Sequence, residues 1–167
     1  MGTADPGRLT RRVGSPTPGV AIVDIELSEG DRTAQVLHWR IGTWEKPPLH
    51  VRLEEHGRIR ELQLVLQDEA VPNVEESPWP LIEEGMPVFS TVDWPPSGFL
   101  DESSIGSIGR LPNGQLEASW HTSVPHRVFQ TSPSLVLGLA EDSSLCAIRI
   151  GPLDDDEWLT LAKADVG

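Results

Sequence analysis

The sequence predicts a mainly β fold: an antiparallel sandwich or open barrel built from consecutive hairpins and closed by a short C-terminal helix. Three observations carry that expectation. Apolar residues recur at period two in segments 21–27, 37–41, 49–53 and 62–66, the mark of strands with one buried face. Turn-forming pairs such as His56-Gly57 and Asn113-Gly114 separate the apolar runs. Helical periodicity is confined to the tail, and no strand–helix–strand alternation occurs.

Residues 1–19 hold four glycines, three prolines and Arg8, Arg11 and Arg12, which reads as a flexible, mildly basic arm before a single β-rich domain over 20–167. Ala21, Val23, Ile25 and Leu27 then alternate with Asp24 and Glu26, and Leu37, Trp39 and Ile41 with His38 and Arg40. A three- or five-residue loop around Gly30 would put both apolar sets on one face, with Asp24 and Glu26 beside His38 and Arg40. A second hairpin pairs Leu49, Val51 and Leu53 with Leu62, Leu64 and Leu66 through Gly57. Ile59 is out of phase with those leucines, which predicts a β-bulge near Arg60-Glu61.

Segment 68–87 breaks the pattern, with four prolines, six acids and Trp79; it reads as a long acidic connection. Val88–Trp94 reads as a strand stopped by Pro95-Pro96-Ser97-Gly98. Asn113-Gly114 sets Leu111 opposite Leu116 and puts Leu116, Ala118 and Trp120 on one face. A last hairpin turns through 141–144, setting Leu135, Leu137 and Leu139 opposite Ile150, Ile148 and Cys146. From Asp154 to Ala164 a helix is expected, with Asp154 and Glu157 as a capping box and Trp158, Leu161 and Ala162 as its apolar stripe. No internal repeat is visible.

Charge is the strongest functional signal. Residues 1–60 carry 9 Lys+Arg against 8 Asp+Glu, whereas residues 61–167 carry 4 against 18, within a net charge of -13. No lysine or arginine stands between Glu61 and Gly109. Such a field disfavours nucleic acid and anionic membrane and favours a basic partner. The single cysteine, Cys146, precludes an intramolecular disulfide and suits a reducing cytoplasm. No secretory-signal core is seen in 1–19 and no apolar stretch is long enough to span a bilayer. Arginine far outnumbers lysine, a bias that suits a GC-rich bacterial genome.

Motifs for chemistry are sparse. His38, His50, His56, His121 and His126 match no zinc-ligand spacing, although His38 and His50 fall on neighbouring outward faces. Asp154-Asp155-Asp156-Glu157 lacks the alternating ligands of a calcium loop. Gly106-Ser107-Ile108-Gly109 is one residue short of a nucleophile elbow. Cys146 lies in an apolar strand, where a thiol is inert core. No catalytic residue, cofactor or metal site is therefore assigned. Trp39 and Trp120 fall on core faces; Trp44, Trp79 and Trp94 lie beside prolines.

The candidate partner-binding residues are Glu75, Glu76, Trp79, Glu83 and Glu84 in the acidic connection, together with Trp94. As a docking face, the glutamates would be exposed and free of internal cations. A small, acidic, β-rich chain of this kind resembles, in general character, the immunity proteins that neutralise toxins such as nucleases with cationic clefts. That resemblance implies a non-enzymatic cytoplasmic protein engaging a basic surface. A small-ligand-binding or catalytic β-barrel domain and a structural or oligomeric component are the alternatives.

Overall fold

The computed structural model describes residues 3–4, 8–27, 35–43, 48–120 and 124–166. Its first half forms β1 (Thr3–Ala4), β2 (Leu9–Thr17), β3 (Val20–Leu27), β4 (Val36–Ile41), β5 (Leu49–Glu54), β6 (Ile59–Gln67) and β7 (Ile82–Glu84). There follow β8 (Met86–Pro87), β9 (Phe99–Glu102), β10 (Ser107–Arg110), β11 (Leu116–Ser119), β12 (Arg127–Ser132), β13 (Leu135–Leu139), β14 (Leu145–Ile150) and α1 (Asp155–Ala162).

Two six-stranded sheets share one buried core, a β-sandwich with a short C-terminal helix. The first runs β2-β3-β6-β5-β4-β9 and the second β10-β11-β14-β13-β12-β7. All pairings within them are antiparallel except β4 with β9 and β12 with β7. The period-two apolar sets meet in the core: Val23, Trp39, Val51 and Leu64 from one sheet, Leu116, Phe129, Leu137 and Ile148 from the other. The other face of the first sheet is mostly polar, as the alternation requires, with Ile22, Val65 and Phe99 among the apolar exceptions.

The topology repeats although the sequence does not. In both sheets five antiparallel strands take the order first, second, fifth, fourth, third, and a sixth strand joins parallel to the third. Both carry a bulge at the fourth–fifth pairing, beside Leu53 in one sheet and Leu139 in the other. The sixth strands come from the connection between the two units. β9 completes the first sheet and β7 the second.

Several expectations need correction. Residues Leu9–Thr17 are an edge strand on β3, not a flexible arm, with Arg11 held by Glu157 at 2.7 Å. β3 does not pair with β4; β6 and β5 lie between them, because the nine-residue β6 aligns its leucines with Val23 and Ile25 on one side and with Leu49 and Val51 on the other. Asp24 therefore receives Gln63, and Arg40 binds Asp101. The loop around Gly30, Trp44 and His121 lie outside the described residues.

The bulge expected near Arg60-Glu61 is present: Arg52 faces Glu61 and Leu53 faces Ile59, leaving Arg60 as the extra residue. Its counterpart shifts the last hairpin, so Leu139 faces Leu145 and not Cys146. The Asn113-Gly114 loop is one residue longer than expected, pairing Arg110 with Leu116. Pro112 suits the second position of an ordinary turn, and Gly114 alone takes a left-handed φ of 87°. Val88–Trp94 is not a strand; only Val88 bridges to Arg58. The capping box of α1 forms as expected, with Trp158 and Leu161 buried, but Ala162 is exposed and Ala164 is buried. No described helix is long and apolar enough to cross a membrane.

Candidate functional site

The acidic connection is a strap across the outer face of the second sheet. The register sets Gly109, Glu117, Arg149, Val136, Gln130 and Glu84 in one row over all six strands. Pro72 and Val74 bond to the backbone of Arg110 at one edge. Val74 then sits on Gly109, where an added Cβ would lie 2.3 Å from a Val74 methyl. At mid-sheet, Arg149 bonds Glu117 at 2.7 Å, Glu76 at 3.3 Å and the Ser77 carbonyl at 2.9 Å. Its guanidinium lies 3.7 Å from the Trp79 ring centre. At the far edge Glu83 holds Arg127 through two bonds of 2.9 and 2.7 Å, which keeps the Glu83 carboxyl below its ordinary range.

This corrects the expectation of an uncommitted docking face. Glu76, Trp79 and Glu83 are engaged by internal cations, whereas Glu75 and Glu84 are exposed. The absence of basic residues between Glu61 and Gly109 ruled out local partners only. Arg127 and Arg149 arrive from strands far along the chain.

Trp94 belongs to a different place. A cleft of about 380 Å³ opens between the sheets, floored by Trp39, Phe89, Trp94 and Leu100. Carboxylates of Glu102 and Asp142 and hydroxyls of Ser90, Ser143 and Ser144 complete its lining. Local sequence builds each wall. Trp39 is on the core face of β4, and its buried indole N–H has no hydrogen-bond partner among the described residues. Phe89 is fixed by Gly57: its N–H bonds the Gly57 carbonyl at 2.9 Å, and an added Cβ on Gly57 would lie 1.7 Å from the Phe89 oxygen. Only glycine fits there, with φ at 96°.

Trp94 closes one turn from Thr91 and precedes the Pro95–Gly98 turn, and its indole N–H donates to the Gly98 carbonyl at 3.2 Å. The Trp39 ring meets Phe89 at 5.2 Å and Trp94 at 6.3 Å, both edge to face. Opposite, the Asp142 carboxylate accepts from the Ser144 N–H and hydroxyl, which sets the 141–144 turn. Aromatic surface edged by carboxylates suits an organic cation. Sequence reading singled out Trp94 for its prolines but had no signal joining it to Trp39, Glu102 and Asp142, which come from separate strands and a turn.

A second cluster lies on the outer face of the first sheet. His38 Nδ1 and His50 Nε2 are 2.9 Å apart, and Phe99 stacks on the His38 ring at 4.4 Å. Burial, then Arg52 and Arg40, lower the His38 pKa; burial, then Arg52, His38 and Arg40, lower that of His50 to about 4. Both imidazoles are thus neutral at neutral pH, and the ring N–H of one donates to the bare ring nitrogen of the other. His56 contacts Glu54 at 3.1 Å, and His126 is exposed. Among the described residues no group of three or more His, Cys, Asp or Glu is placed to hold a metal ion. Cys146 is buried, and burial with the Asp142 charge pushes its thiol up to about 11, so it stays protonated and poorly nucleophilic.

Compared with protein-family models and with curated proteins, the chain matches none of them.

Proposed function

We propose that the chain is a non-enzymatic binding protein of the bacterial cytoplasm whose acidic surface receives a basic protein, in the manner of an immunity protein toward a toxin. The observation that carries this reading is the Trp94 cleft, an aromatic floor edged by Glu102 and Asp142 in a chain of net charge -13. Complementary fields speed encounter with a cationic surface, and an aromatic anchor slows its release. The exposed Asp93 and Glu141, each next to a cleft residue in sequence, extend the acidic rim. The exposed Glu75 and Glu84 add to the same field from the strap side.

The test is association kinetics with the basic protein that copurifies from the native host. Raising ionic strength should lower the association rate, as should reversing the charge at Asp93 and Glu141, while Trp94→Phe should raise the dissociation rate. Copurification of a small cationic molecule instead would favour the ligand-binding alternative, since the cleft volume of about 380 Å³ lies within the range of small-molecule sites.

A further inference from the structure

Resting on that reading, we infer that the basic partner docks by strand addition: an extended segment pairs with the free edge of β9 and lowers one arginine or lysine side chain into the Trp94 cleft. β9 ends the first sheet, and among the described residues no strand pairs with its other edge. His38 N–H bonds the Gly98 carbonyl and Gly42 N–H the Glu102 carbonyl. This parallel register turns the backbone groups of Leu100 and Glu102 toward β4 and those of Phe99 and Asp101 outward. The Phe99 N–H is taken by Ser97 Oγ at 3.3 Å. The Phe99 carbonyl and both backbone groups of Asp101 remain on the edge for a new strand.

Side-chain alternation links that edge to the cleft. Phe99 and Asp101 stand on the outer face, against His38 and Arg40, while Leu100 and Glu102 line the cleft. An added strand would present every second side chain at the cleft mouth. Arginine over an aromatic ring is a contact this molecule uses repeatedly. Phe99, Trp158, Phe129 and Trp79 each carry an arginine guanidinium, at 4.7, 4.5, 4.9 and 3.7 Å from the ring centre. Trp94 carries none among the described residues, and its half-buried ring faces the carboxylate-edged cleft. A partner's basic side chain would supply the missing cation, with the acidic rim holding its charge.

The experiment uses the full chain, isotopically labelled, and four short blocked peptides of alternating threonine and valine. One has a central arginine, one a central glutamine, and two the arginine with N-methyl groups, one on the amides of each strand edge. Decaarginine serves as a basic probe without strand character. The arginine peptide should shift the resonances of Leu100, Asp101 and the Trp94 indole N–H. Its affinity should fall about tenfold with glutamine, with N-methylation of one edge, and in Trp94→Phe, a variant that keeps an aromatic ring in the core. Unchanged affinity after N-methylation of both edges, each in turn, overturns strand addition, and unchanged affinity with glutamine overturns the cation anchor. If only decaarginine binds, and shifts residues away from β9, the docking mode fails while the basic-partner reading stands. If neither probe binds in a salt-sensitive way, both fail.

Discussion

The Arg149 guanidinium lies 3.7 Å from the centre of the Trp79 ring, and the same arginine bonds Glu117 and Glu76. One cation from mid-sheet therefore ties down the acidic strap that crosses it. Replacing Arg149, only 8% exposed, by methionine should cost about 3 kcal/mol, because it leaves carboxylates and the Ser77 carbonyl without their donor. Proteolysis within 68–81 should accelerate in step. An unchanged urea midpoint would show that the strap is held by its backbone contacts alone.

Gly109 makes a sharper test of strap packing. An added Cβ would lie 2.3 and 2.7 Å from the two Val74 methyls, so Gly109→Ala should destabilise by about 1–3 kcal/mol. Adding Val74→Ala should recover part of that loss. Additive losses in chemical denaturation would mean that the two positions are not in contact.

The histidine pair sets a pH dependence. His50 titrates near 4 when folded and near 6.5 when free, so on acidification the unfolded chain takes up the proton first. Its contribution is fully present above pH 6.5 and is lost as pH falls toward 4. The groups facing it are His38 and Arg40 on β4, Arg52 on its own strand, and Gln63 with Glu61 on β6. After solvent screening the loss is on the order of 1 kcal/mol. His50→Gln should flatten stability between pH 6.5 and 4; an unchanged slope would place the acid sensitivity elsewhere.

Cys146→Ser should cost about 1–3 kcal/mol by burying a hydroxyl in place of a thiol. With the thiol 1% exposed and its pKa near 11, labelling in the native protein should proceed only at the rate of opening. Immediate labelling would show an accessible, reactive thiol.

The sandwich was legible because it rests on period two, which Val23, Trp39, Val51 and Leu64 display without interruption. The bulge at Arg60 was legible for the same reason, as a change of phase between Ile59 and Leu62. Strand order was not, since alternation names a buried face and says nothing of which neighbour supplies the edge. β2 escaped notice because its glycine and its proline, Gly14 and Pro16, suit an edge strand as well as a loop. The topological repeat is hidden because its equivalent positions differ chemically, Arg60 at one bulge and Cys146 at the other. For the site, the acids were visible but their partners were not. Arg127 and Arg149 meet Glu83 and Glu76 across 44 and 73 positions of sequence, a distance that no local pattern spans.

The most direct measurement is chemical-shift mapping of the labelled chain titrated with its copurifying basic protein, at low and high ionic strength. If the cleft receives that protein, the largest shifts fall on the Trp94 indole N–H, Leu100, Glu102 and Ser143, and affinity drops as the Debye length shrinks from about 10 Å at 0.1 M to about 3 Å at 1 M. Shifts confined to the strap around Glu75 and Trp79, or an affinity indifferent to salt, would contradict it.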